Sequence, residues 1–191
     1  MIGEHLVRLE QLRDRYLHRS INRRSSELVA RGAPWGSVML GSFLPAVLWV
    51  ASAPILPSFG LLVLIAWRQM RPGLLPVWAG LPLGAFDDLY SGQPFGCGVL
   101  LWSLVMLVLE AIEARFPWRG FRLEWLFAAI LIAATLLLGV AIANMAGGAT
   151  PISVVAPQVV ISILCYPLVA RLVAALDRFR LIPFIDVGEW G

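Results

Sequence analysis

Two adjacent carboxylates, Asp87 and Asp88, are the residues of this chain best placed to do chemistry. They lie in the stretch "GAFDDLYSGQPFG", between a long apolar run and a glycine-rich turn, in a chain that is 59% hydrophobic and 14% charged. Carboxylates in such a setting can cap a helix or pin a turn, relay protons or cations, or hold a polar group of another chain. The choice depends on whether water, protein or lipid surrounds them.

The composition indicates a membrane protein. A mean hydropathy of +0.80, with eight Trp and nine Phe among 191 residues, exceeds what a soluble core can hide, because a soluble domain also needs a charged surface. All fifteen basic residues are Arg, and they are clustered. Arg at the ends of apolar segments is typical of membrane topology, so the net charge of +3 predicts no nucleic-acid partner.

The chain divides into a polar, Arg-rich N-terminal segment (residues 1–33), an apolar domain (34–176) and a short tail (177–191). A helix that crosses a hydrocarbon core of about 30 Å needs roughly 20 residues. On that basis the apolar domain contains six predicted spans, at residues 34–53, 54–70, 73–89, 94–114, 124–146 and 152–176. The second and third spans are short and contain prolines, so we expect kinked, tilted or partly re-entrant helices there.

The arginines predict the orientation of these spans. Every Arg lies in the N-terminal segment, in the connections after the second and fourth spans, or at the C-terminal end. The other three connections, near residues 53–54, 91–94 and 144–150, contain none. Because cytoplasmic loops are enriched in Arg and Lys, both termini are predicted to be cytoplasmic. The pattern of Leu and Arg over residues 6–19 predicts an amphipathic helix that lies on anionic headgroups or docks a cytoplasmic partner.

Small residues surround the two carboxylates. Two GxxxG spacings, Gly80 with Gly84 and Gly92 with Gly96, flank the acidic turn with Ser91 between them. Such spacing permits close helix approach in lipid, where packing drives association. It predicts a tightly packed hairpin of the third and fourth spans and leaves open whether the hairpin serves internal packing or a partner.

The position of Asp87 and Asp88 along the third span keeps their three roles open. Asp87 lies roughly 20 Å along that span, still inside the apolar core, so both acids are expected to face the bundle, a wet crevice or a partner. A relay is the weakest of the three roles, because the remaining acids of the spans, Glu110, Glu113 and Glu124, are predicted near the opposite face.

The sequence contains no pattern that indicates catalysis. It has no nucleotide-binding loop, no HExxH, no CxxC pair and no Ser-His-Asp set. Cys97 and Cys165 are isolated in apolar surroundings, and His5 and His18 have no partners at zinc spacing. We therefore predict no enzyme activity, no metal and no cofactor.

The segment order and two motifs resemble the MreD family of rod shape-determining proteins of the bacterial inner membrane. The stretch "LPSFGLLVLIAWRQMRPG" is followed by "GAFDDLYSGQPFG", and the resemblance covers residues 57–110 well and the remainder loosely. The positions that match the family motif are Gly84, Asp88, Leu89, Ser91, Gly92 and Gly96. Asp87 adds an acid where the motif needs one, so the resemblance favours Asp88 as the functional acid. The N-terminal segment is longer than in many members.

The resemblance implies a non-enzymatic scaffold of the cell-elongation machinery, the elongasome. Members work with MreC, a single-span protein, alongside MreB filaments, RodA and a class B penicillin-binding transpeptidase of peptidoglycan synthesis. The implied bundle is similar to the substrate-binding subunits of energy-coupling-factor transporters, an analogy of fold. The alternative function is therefore a small-molecule-binding or transport subunit, which should have a polar cavity at Asp88; a scaffold should have that region filled. A lipid-linked-precursor enzyme or flippase is a weaker third option.

Overall fold

The computed structural model describes residues 27–48, 56–116 and 120–180, and within these ranges it is helical with no β-strand. Each predicted apolar segment contains one helix, which confirms the all-α prediction. The predicted N-terminal amphipathic helix and most of the predicted tail lie outside the described residues. The six helices are α1 (Glu27–Leu48), α2 (Phe59–Met70), α3 (Gly80–Asp88), α4 (Cys97–Arg115), α5 (Phe121–Met145) and α6 (Ile152–Arg180), with a 3₁₀ turn at Val77–Ala79 before α3.

The helices differ greatly in length. Three of them, α4, α5 and α6, are long and apolar enough to cross a membrane. By contrast, α2 has 12 residues and α3 has nine, which corresponds to about 18 and 14 Å against a core of about 30 Å. The second and third predicted spans are therefore too long at their starts. Pro57 and Ser58 precede α2, and an extended Pro76 precedes the 3₁₀ turn.

Helix α1 begins earlier than the sequence predicts. It starts at Glu27 and contains Pro34 and Pro45 in its interior, whereas we expected Pro34 to begin the first span. The Ser37 hydroxyl donates a hydrogen bond to the Pro34 carbonyl oxygen at 2.9 Å. Part of the predicted N-terminal segment is thus continuous with the first helix of the bundle.

Helix α2 occupies the centre of the described bundle. Nearly all of its residues are buried, including Leu61, Leu64, Ile65 and Trp67, and it contacts α1, α4, α5 and α6. Such a helix need not match the bilayer thickness, because other helices surround it rather than lipid. The hydrophobic core therefore lies around the second-shortest helix of the bundle.

Contacts between helix ends show that consecutive helices run antiparallel. We call one end of the bundle the arginine end, because it contains the C-terminal ends of α2, α4 and α6 and the start of α5, joined by polar contacts of Arg68, Gln69 and Arg71. The opposite end contains the turn between α3 and α4. There Gln158 of α6 donates to the carbonyl oxygen of Leu56, just before α2, at 3.0 Å.

Candidate functional site

Asp88 is the last residue of α3 and caps the start of α4. Its side chain is buried, with 6% of the residue exposed. The carboxylate accepts hydrogen bonds from the backbone N–H groups of Gly96 at 2.8 Å, Gly98 at 2.6 Å and Val99 at 3.3 Å. The first N–H groups of a helix have no partner within the helix and carry partial positive charge, so a carboxylate there is stabilising. Of the three roles considered for the two acids, this geometry corresponds to capping of a helix.

The local sequence explains why the cap comes from across the turn. Helix α4 begins after Gly96, which has a φ of +98° and no side chain that could cap. Gly92 also has a positive φ, at +68°. Both positions favour glycine, because an L-residue with a side chain is strained in this region. The turn thus folds back sharply enough to bring α4 onto Asp88.

Glycine also lets α3 and α4 approach closely. A Cβ atom added to Gly80 would lie 2.8 Å from Cα of Ser103, and one added to Gly84 would lie 2.7 Å from the carbonyl carbon of Gly98. A Cβ on Gly98 would in turn lie 2.8 Å from the carbonyl oxygen of Gly84. Because these neighbours are backbone atoms, a side chain would force the helices apart. The first GxxxG therefore lies at a helix crossing.

The second GxxxG does not lie at a crossing. No atom comes within 4 Å of a Cβ built on Gly92 or Gly96, so this spacing reflects turn conformation rather than the close approach that the sequence suggested. Ser91 is exposed, and its backbone N–H donates to the Asp87 carbonyl oxygen at 2.9 Å. The physical reason for the difference is the positive φ at both glycines, a feature that residue spacing does not reveal.

Asp87 points to a different neighbour from Asp88. It is half-buried, and the Ser42 hydroxyl of α1 lies within hydrogen-bonding reach of its carboxylate. Ser42 is 6% exposed, and its hydroxyl has no other described partner. A Cβ on Gly60, near the start of α2, would meet this hydroxyl. Asp87 therefore lies where α1, α2 and α3 converge.

A second polar cluster at the arginine end surrounds the end of α2. The residues "WRQMR", 67–71, connect α2 to four other helices. Arg68, although 2% exposed, pairs with Glu110 and with Glu113 of α4, the latter at 3.0 Å, and donates to the carbonyl oxygen of Leu75 at 3.1 Å. A buried cation needs such partners, because desolvation of an isolated charge is costly.

Other polar side chains of the same segment reach α5 and α6. Gln69 donates to the carbonyl oxygen of Glu124 at 3.1 Å and accepts from the Tyr166 hydroxyl at 2.6 Å. Arg71 donates twice to one Asp177 carboxylate oxygen, at 2.8 and 3.0 Å. The Asp177 carboxylate raises the pKa of Arg71, through hydrogen bonding first and charge second. Helix α6 is thereby fixed at two levels, through Tyr166 and through Asp177.

Arg180 and Trp67 complete the cluster. Arg180 donates to the second Asp177 carboxylate oxygen at 2.7 Å, and its guanidinium carbon lies 5.4 Å from the centroid of the Trp67 ring. The Trp67 indole N–H donates to the Ser37 hydroxyl of α1 at 2.8 Å. The sequence predicted these arginines in the connections between spans and at the C-terminal end, not in a cluster with buried partners. One signal in the sequence could have indicated this cluster: four of the five residues at 67–71, at the end of an apolar helix, are polar or aromatic.

Nothing in the described ranges suggests a metal centre. No three His, Cys, Asp or Glu side chains come together there, and Cys97 and Cys165 are both free thiols. Instead, Asp88 and the cluster at the arginine end join helices to one another. The fold and these two features define an all-helical membrane protein whose polar residues connect its helices to one another.

The comparison with protein families gives a more specific result. Residues 37–176, well over half of the chain, match the family described as rod shape-determining protein MreD. The chain therefore belongs to the MreD family, as its motifs suggested, and has a role in rod-shape determination. No curated protein and no solved structure matches it significantly, so the expected likeness to transporter substrate-binding subunits stays a prediction.

Proposed function

We propose that this protein is a non-enzymatic, multi-pass scaffold of the bacterial inner membrane that binds MreC. Through MreC it helps to couple MreB filaments to peptidoglycan synthesis by RodA and a class B transpeptidase. The family assignment supplies the shape-determining role; the specific partners are our proposal. A protein whose described polar residues mostly bond to its own helices is suited to hold another chain rather than to transform a substrate.

The observation that carries the proposal is the internal use of Asp88. A solute-binding subunit should present this acid to a polar cavity, whereas a scaffold should fill the region. The Asp88 carboxylate is buried and receives three backbone N–H groups of α4. Glycine contacts bring the backbones of α3 and α4 together beside it. The acid that would have served a solute thus stabilises the hairpin, which favours a scaffold over a transport subunit.

The distribution of charge supports an orientation with both termini in the cytoplasm. The described chain begins in α1 and ends in α6, and contacts of Trp67 with Ser37 and Arg180 bring both helices to the arginine end. Exposed arginines at this end, among them Arg115, Arg122 and Arg178, can meet anionic headgroups. An even number of membrane crossings places both termini on the same side, and six is the number that the sequence favours.

The test is co-purification from bacterial membranes in mild detergent. The full chain is expressed with the MreC of the same organism, and bound proteins and small molecules are identified by mass spectrometry. Stoichiometric recovery of MreC is the expected result. A control chain with Leu164→Ala, changed at an exposed position of α6, should recover the same amount. Recovery of a small molecule or of a coupling ATPase instead of MreC would overturn the proposal in favour of the transport subunit.

A further inference from the structure

We propose that Asp87 and Ser42 form a polar site that receives a basic or hydrogen-bond-donating side chain from the transmembrane helix of a partner. This inference rests on the proposed scaffold function and names the residues that hold the partner. It also reassigns the docking acid, because the sequence favoured Asp88. Consecutive residues of an α-helix point about 100° apart, so Asp88 faces α4 whereas Asp87 faces α1.

The hydrogen-bonding capacity of this site is largely unused within the described residues. An ionised carboxylate can accept about four hydrogen bonds, and among the described residues only the Ser42 hydroxyl lies within reach of Asp87. The Ser42 hydroxyl has no other described partner, although the residue is 6% exposed. Polar groups in an apolar phase are costly unless they are paired. Two such groups side by side, beyond the start of α2, indicate a site that another molecule completes.

Exposed aromatic side chains flank the site. The rings of Phe43 and Tyr90 pack edge to face with centroids 5.3 Å apart, and Phe86 lies 5.1 Å from Tyr90. Phe43 is 43% exposed and Tyr90 is 40% exposed. The exposed surface between α1 and the end of α3 thus combines aromatic side chains with one acidic group. Helices associate in membranes through packing and interhelical hydrogen bonds, and this surface offers both.

The charge and the helix length together indicate a helix as the occupant. A carboxylate at membrane depth is best met by a positive or donating side chain. The 3₁₀ turn and α3 together cover about 20 Å of the apolar core, so lipid against this face would have to thin. A full-length partner helix removes that mismatch. Its donor should lie near the end of its span that is remote from the arginine end.

The experiment maps contacts in the full chain co-expressed with MreC. A photo-crosslinking amino acid replaces Phe43 or Tyr90 in two variants, and Leu164 or Leu168, which are exposed on α6, in two controls. Crosslinks to MreC from the first pair and not from the second are expected. Asp87→Ala should weaken MreC recovery roughly 3- to 30-fold, the range of one interhelical hydrogen bond in lipid, whereas the controls should not.

The outcomes separate this inference from the scaffold function. Crosslinks only from α6, or crosslinks only to lipid from Phe43 and Tyr90, would overturn the site while MreC recovery leaves the scaffold standing. Failure of the unmodified chain to recover MreC would overturn the scaffold function and the site with it. The crosslinking arm keeps Asp87 intact, so it decides the question even where Asp87→Ala reduces the amount of folded protein.

Discussion

Replacement of Asp88 with alanine should destabilise the bundle by about 3–5 kcal/mol. The change removes the acceptor for three backbone N–H groups at distances of 2.6, 2.8 and 3.3 Å. A buried donor without a partner costs about 1–3 kcal/mol. The Gly98 N–H is buried and those of Gly96 and Val99 are partly buried, so we assign about 2 kcal/mol to the first and about 1 kcal/mol to each of the others. Asp88→Asn keeps one acceptor and should lose about half as much.

The assay is unfolding of the purified protein in detergent micelles by titration with sodium dodecyl sulfate, followed by circular dichroism. Asp87→Ala is the matched control, because it removes the adjacent acid, for which Ser42 is the one described donor, and it should cost about 1 kcal/mol or less. Amide hydrogen exchange gives a local readout, since residues 96–99 should exchange faster in Asp88→Ala. Equal stabilities of the two alanine variants, or unchanged exchange at residues 96–99, would refute the capping argument.

Three further predictions use the same titration. Gly84→Ala should cost more than about 2 kcal/mol, because its Cβ would meet the backbone of α4, whereas Gly92→Ala in open space should cost about 1 kcal/mol for its positive φ; the reverse order would contradict the crossing. Arg68→Met should cost about 3–5 kcal/mol by leaving Glu113 without this cation, and the double change with Glu113→Gln should recover part of the loss; no recovery would contradict the pairing. Tyr166→Phe should cost about 1 kcal/mol by removing its bond to α2, and an unchanged midpoint would contradict that tie.

The sequence predicted the number of helices because the length of each apolar segment can be read directly from the sequence. Six apolar segments contain the six described helices, and Arg68, Arg71 and Arg180 lie at one end of the bundle. The helix boundaries differ from those predicted, because they depend on local backbone geometry. The 3₁₀ turn after the extended Pro76 shortens the third segment, and α1 continues through Pro34, a residue that more often begins a helix than lies within one.

The candidate site was predicted as a set of residues but not as a set of roles. Spacing brought Asp87, Asp88 and the glycines to one hairpin. It did not separate the acid that caps α4 from the acid that faces α1, because that difference arises from the 100° rotation between neighbours on a helix of known position. Similarly, the buried pair of Arg68 with Glu113 joins residues 45 positions apart, and no local pattern connects them.

The two polar clusters explain how a bundle with two short helices can be stable in a membrane. Apolar surface alone does not hold helices together in lipid, where lipid tails are as apolar as side chains. Helix α2 lacks the length to be positioned by the two interfaces of the bilayer, so its position must come from its neighbours. At the arginine end, Arg68, Gln69 and Arg71 fix it to α4, α5 and α6. At the opposite end, the described contacts include the Asp88 cap of α4, the hydrogen bond from Gln158 to Leu56, the glycine crossings, and Ser42 beside Asp87. No hydrogen bond is described between α1 and α3 beyond the pair of Ser42 and Asp87, so a partner helix has most to add there, and the exposed surface at Phe43 and Tyr90 is the one to test first.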